Sequence, residues 1–188
     1  MPEIIPNLHP VFVHFTVALL SISTGLFVVL HLFGSHLPEN LRLQLRTVAR
    51  WNLWFGAGIT VITVAAGFHA YNTVAHDAPS HAVMTDHRNW ALATAPLFIG
   101  LALWSITRVW TGKALGGWFV IALLIAQLLL LSTAWRGGEV VYRYGLGVMS
   151  LPQSEGEGHA HSHGEGHGAT DKPMDFSGMD EMSDGHAH

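Results

Sequence analysis

The stretch PVFVHFTVALLSISTGLFVVLHLF, residues 10–33, contains no Asp, Glu, Lys or Arg. A helix of about 20 apolar residues crosses the roughly 30 Å of bilayer hydrocarbon. The run is too long for a strand and too apolar all round for a surface helix, so it predicts a membrane span. Three more runs share this character: 50–74 (RWNLWFGAGITVITVAAGFHAYNTV), 88–109 (RNWALATAPLFIGLALWSITRV, interrupted by Pro96) and 115–135 (LGGWFVIALLIAQLLLLSTAW). Short connections make neighbours antiparallel. Trp51, Trp54, Trp90, Trp118 and Trp135 stand near the ends, where an aromatic belt belongs. The expected fold is all-α, a four-helix transmembrane bundle over residues 1–135.

Composition divides the chain in two. The 188 residues are 49% hydrophobic and only 12% charged. Residues 1–151 carry eight Lys/Arg against five Asp/Glu, whereas residues 152–188 carry one Lys against eight acids. The absence of cysteine excludes disulfides, thiolate-ligated iron–sulfur clusters, Cys-containing copper sites and covalently attached c-type haem. No Lys or Arg precedes the first apolar run, so it reads as a permanent span and not a cleaved signal. The 1–2 and 3–4 loops hold Arg42, Arg46, Arg50, Arg108 and Lys113, against Arg88, Arg136 and Arg143 on the other side. That bias puts both termini outside the cytoplasm of a bacterial inner membrane, with the tail in the periplasm.

Beyond the fourth span, residues 136–151 are rich in Gly, Val and Tyr, which predicts an extended or hairpin-like lid on the outer face. Residues 152–188 are rich in Gly, His and acids, with Phe176 the sole aromatic. They cannot bury enough apolar area to offset the entropy of ordering, so disorder is expected. No internal repeat at a solenoid period is visible.

Histidines carry the chemistry. His9 precedes Pro10, a favoured first helical residue, and reads as an interfacial cap. His14 lies about 6 Å further in along the span and roughly 140° around the helix from His9. His69, near the end of span two, and His87, at the start of span three, reach the same side. Ionisable residues in spans are costly and face the bundle interior or a wet cavity. Imidazole is also a common metal and haem ligand. Small residues follow His14 (Ala18, Ser21, Gly25), His69 (Ala65, Gly58) and His87 (Ala91, Thr94) at helical spacing. They suit either a cofactor slot or close helix packing. His31 belongs to the opposite face and lacks a good partner, so one outer-side site is expected, with b-type haem held by two of His14, His69 and His87. Arg143 or Arg88 would neutralise a propionate. In the outer loop, His76, His81, Asp77 and Asp86 form a weak metal signal without a recognised spacing.

The tail gives a clearer metal signature. His159, His161, His163 and His167 fall in GHAHSHGEGHG, and Met174, Met179, Met182, His186 and His188 follow. Imidazole with thioether favours copper, and such a tail captures ions without catalysing.

Two motifs, HPVFVHF (9–15) and GGEVVYRYGLGV (137–148), together with four spans, resemble the bacterial membrane-protein family catalogued as domain of unknown function 2231. The likeness covers about residues 8–148; Thr16 stands where the family commonly has proline. The resemblance implies a fold and a membrane location. Relatives joined to Rieske or cytochrome c modules imply a redox setting. With no nucleophile–base pair, phosphate loop or acid pair, the chain reads as an electron carrier or subunit and not a complete enzyme. Its expected partners are the lipid bilayer, metal ions, and a quinone or periplasmic redox protein, with no nucleic acid. The rival readings are a haem-free copper-binding or copper-trafficking membrane protein and a purely structural subunit.

Overall fold

The computed structural model describes residues 7–148. Four helices run in order: α1 (His9–Phe33), α2 (Glu39–Thr73), α3 (Ala78–Trp110) and α4 (Gly117–Tyr142). All four are long and apolar enough to cross a membrane. At 1.5 Å per residue, α2 and α3 are about 50 Å long and α1 and α4 about 38 Å, so the inner pair projects well past the hydrocarbon.

Local chemistry places the helix ends. The Asn7 side chain accepts the backbone N–H of His9 at 3.0 Å, and Pro10 fills the first turn, where no N–H is needed. The Asp77 carboxylate accepts the backbone N–H of Ser80, capping α3; the Ser80 hydroxyl, and after it this N–H, hold the Asp77 carboxyl below its usual range. Pro96 does not break α3, which runs through it uninterrupted. The fourth helix passes residue 135, through Gly137 and Gly138, to Tyr142, so residues 136–142 are helix and not the extended lid anticipated. The expected tail, with its metal-binding His and Met residues, lies outside the described residues.

Helix α1 packs on α2 and α4, and α3 packs on α4 and α2, which leaves α1 and α3 on one diagonal. Leu20, Leu53, Phe98, Phe119 and Leu123 are fully buried at the centre. Lipid is as apolar as these side chains, so close packing and interhelical hydrogen bonds hold the bundle together. Thr16 Oγ1 pairs with Thr63 Oγ1 at 2.8 Å, and Thr94 Oγ1 with Thr133 Oγ1 at 3.0 Å. Ser23 donates to the Ala49 carbonyl and Gln127 to the Ser21 hydroxyl.

Those two threonine pairs disclose an internal repeat. His9 and Thr16 are seven residues apart in α1, as are His87 and Thr94 in α3. Thr63 and Gly67 are four apart in α2, as are Thr133 and Gly137 in α4. Leu20 and Phe98 follow the first threonines by one turn, and both are fully buried. The α1–α2 hairpin and the α3–α4 hairpin are thus related by an approximate two-fold axis running along the bundle, a parallel repeat.

Equivalent bonds should have equivalent strengths. Thr16→Val and Thr94→Val are expected to lower the unfolding free energy in detergent by a similar amount, about 0.6–1.7 kcal/mol each. The two effects should add, because the sites share no partner. Equilibrium unfolding of the single and double variants checks this; a loss in one hairpin alone contradicts the repeat.

Candidate functional site

Helical phase decides which histidine enters the bundle. The buried face of α1 carries Thr16, Leu20, Ser23 and Phe27. His9 lies one heptad before Thr16 and shares that face, whereas His14, two residues before it, points away. His9 is half-buried and His14 exposed, its ring bonded to the carbonyl of Pro10 on its own helix. His69 is exposed as well, and Ala18, Gly25, Ala65 and Gly58 face outward with these two histidines. Of the three imidazoles expected to converge, only His87 faces inward, where it meets His9. Sequence reading had assigned His9 to a cap.

The two inward rings are held identically. His9 Nδ1 lies 3.0 Å from the Thr63 carbonyl oxygen, and His87 Nδ1 lies 3.1 Å from that of Thr133. A carbonyl only accepts, so each Nδ1 carries the proton and donates it. In the neutral ring that leaves the lone pair on Nε2, the arrangement that orients metal-ligating histidines.

Glycine makes each contact reachable. A helical carbonyl is normally screened by the side chain of the following turn. Four residues after Thr63 stands Gly67, where a Cβ would lie 3.0 Å from His9 Cε1; four after Thr133 stands Gly137, where a Cβ would lie 3.0 Å from His87 Cε1. Both distances are below ordinary van der Waals contact. Gly137 sits in α4 because an imidazole packs on it, which is why a residue that reads as a helix breaker lies inside a helix.

The repeat brings the rings together from diagonal helices. His9 and His87 centroids are 6.2 Å apart, with planes at 73°. Around them, Arg136 pairs with Asp86 at 2.8 Å and lies 4.0 Å from the Trp90 ring centroid. The Arg88 guanidinium lies over Tyr71 at 4.6 Å, yet its Nε is buried with no hydrogen-bond partner. Arg143, expected at the site, is exposed and paired with Glu139 at 2.9 Å. At the α2–α3 corner, His76 Nε2 meets His81 Nδ1 at 2.8 Å, and the Tyr71 hydroxyl lies 3.0 Å from His81 Nε2. Among the described residues no three His, Asp or Glu side chains gather as a metal site.

Substitution separates the two kinds of glycine. Gly137→Val should destabilise the protein by about 1–3 kcal/mol through overpacking against His87. Gly100→Val, where nothing lies within 4 Å of the added carbon, should be tolerated. Thermal unfolding in detergent compares them, and equal tolerance would remove the contact from the account.

No curated protein and no solved structure matches this chain. A family model does, and it covers residues 5–150, the whole described bundle with both sequence motifs. The chain belongs to the family of predicted membrane proteins known as DUF2231.

Proposed function

We propose that this membrane protein holds b-type haem between His9 and His87 and works as an electron carrier or subunit. One observation carries the reading: two imidazoles from separate hairpins, each with Nδ1 tied to a helix carbonyl, stand with centroids 6.2 Å apart. A metal–imidazole bond is about 2.0 Å, and a ring centroid lies about 1.1 Å behind its nitrogen, so centroids 6.2 Å apart leave room for one metal ion between two imidazole nitrogens that face it. Rings joined by a direct hydrogen bond would stand about 5 Å apart on the same reckoning.

When bound, the haem iron would supply one-electron exchange. The protein contributes the rest. The Thr63 and Thr133 carbonyls fix ring tautomer and direction, and Gly67 and Gly137 leave the rings room to reach them. The half-buried Arg88, with its unpartnered Nε, is the cation best suited to a propionate. Arg136 is already engaged by Asp86, and Arg143 by Glu139. The excess of Arg42, Arg46, Arg50, Arg108 and Lys113 at the opposite end supports an inner-membrane orientation with the termini outside. The histidine pair then lies toward the periplasmic leaflet, within reach of a quinone or a periplasmic redox protein.

The same spacing also suits a bare copper(I) ion in two-coordinate geometry, supplied by the tail. Absorption spectra of the protein, purified from haem-supplemented cells, distinguish the two readings. The expected result is a Soret band with a sharp reduced α-band, lost in His9→Ala and in His87→Ala and kept in His14→Ala and His69→Ala. Colourless protein with one copper per chain, lost in the same two variants, favours copper. Retention of colour in His9→Ala overturns the ligand assignment.

For the tail, the proposed role is capture of copper by His159, His161, His163, His167, His186 and His188 with Met174, Met179 and Met182. Imidazole must lose its proton to coordinate, and its ordinary pKa is about 6.5. Copper affinity of a peptide spanning 152–188 should therefore rise steeply from pH 5.5 to 7.5 in a competition titration. A flat profile is incompatible with imidazole ligation.

A further inference from the structure

The repeat fails at the opposite end of the bundle, and the departure builds a second site. There a cavity of about 160 Å³ opens between α1, α2, α4 and the α3–α4 connection, lined by His31, Arg46 and Arg50 together with Phe27, Leu115 and Val120. The positions of α4 that correspond to Arg46 and Arg50 are Gly116 and Val120, so neither cation has a counterpart in the second hairpin.

Among the described residues the charge of this cavity is uncompensated. Neither arginine makes an ion pair or side-chain hydrogen bond among the described residues, and Arg50 Nε is buried with no partner. Every carboxylate of the described residues is engaged elsewhere. Glu39 pairs with Arg42, Asp86 with Arg136 and Glu139 with Arg143, and Asp77 caps α3 at the far end. Beside the cavity α4 begins at Gly116 and Gly117, with no side chain capping it. The His31 ring lies 3.3 Å from where a Gly117 Cβ would sit. Two guanidinium groups and an imidazole line one space, and the positive end of a 26-residue helix lies beside that imidazole.

Depth and shape specify the anion. Residues 51–68 of α2, which follow Arg50 directly, contain no charged residue and begin with Trp51 and Trp54, so Arg50 stands where hydrocarbon gives way to headgroups. Phe27, Leu115 and Val120 supply apolar walls beside the cations. Ligand pockets for whole small molecules run to about 300–1,000 Å³, and this cavity is smaller. It suits a headgroup whose tails stay in the bilayer.

We propose that this cavity binds the phosphate of an anionic phospholipid, with Arg46 and Arg50 as its ligands and the start of α4 beside them. Guanidinium forks match phosphate oxygens two at a time, and basic pockets between spans are typical sites for acidic lipid headgroups. The assignment is independent of any cofactor at the histidine pair, which lies at the other end of the bundle.

The test is thermal stabilisation of the full-length protein in neutral detergent, titrated separately with phosphatidylglycerol, phosphatidylcholine and inorganic phosphate. Phosphatidylglycerol should stabilise the protein at concentrations at least tenfold lower than phosphatidylcholine, and millimolar inorganic phosphate should do little. Arg46→Gln with Arg50→Gln should erase the difference between the two lipids, and Arg50→Lys should weaken it. Arg108→Gln, which removes a cation at the same end outside the cavity, should leave it intact. The readout is the lipid-induced shift, so a change in basal stability does not obscure it. Equal response to the two lipids, full lipid preference in the double variant, or stabilisation by inorganic phosphate without phosphatidylglycerol overturns the proposal.

Discussion

A helix carbonyl inside a membrane is already bonded to the N–H four residues on, and its second lone pair is usually screened by that residue's side chain. The histidine end of this bundle turns on lifting that screen twice, at Gly67 and Gly137. With the side chain gone, an imidazole from the neighbouring helix reaches the carbonyl and gives it the Nδ1 proton. A buried imidazole without such a partner would carry a desolvation cost of about 1–3 kcal/mol. The bond offsets that cost and fixes the tautomer, leaving the lone pair on Nε2.

Two such rings meet only if their helices agree in depth, and helix length arranges this. His9 starts α1, whereas His87 lies nine residues into α3, so α3 rises past α1 by about 13 Å. Helix α2 extends ten residues beyond Thr63, and α4 nine beyond Thr133. The near-equal overhang keeps the two carbonyls level. Toward the other end the repeat relaxes into complementary exchange. Where the first hairpin has Ala49 and Phe27, the second has Phe119 and Ser105. Phe27 packs on Phe119 with centroids 5.2 Å apart, and the Trp54 indole donates to Ser105. Freed of symmetry there, α2 carries its arginines alone.

The four spans were legible in the sequence because hydrocarbon imposes length and apolarity with little dependence on context. The pairing of imidazoles was not, since it depends on helical phase, and phase depends on which face packs. Ala18 and Gly25 beside His14, and Ala65 and Gly58 beside His69, read as a slot but face outward, while the inner face of α1 carries Thr16, Leu20 and Ser23. Gly137 and Gly138 read as helix breakers because intrinsic propensity is weak beside the contact that requires Gly137. A signal for the site was present all the same: His followed seven residues later by Thr, and Thr followed four later by Gly, each occurring in both hairpins. A search for solenoid periods misses it, because the second hairpin is eight residues shorter between its histidine and its glycine.

The two-fold relation also limits what the histidine pair can hold. Groups related by an axis are alike in kind, and among the described residues the repeat brings two equivalent imidazoles together. Among the described residues none gathers to make a group of three. Zinc in a structural site takes four protein ligands and copper(II) favours a tetragonal set, so either would need ligands beyond this pair. A haem held as proposed above would take the two imidazoles of the repeat as its protein ligands. The same count admits copper(I) as the bare-ion rival, and an internally duplicated bundle would offer either guest a place on its axis.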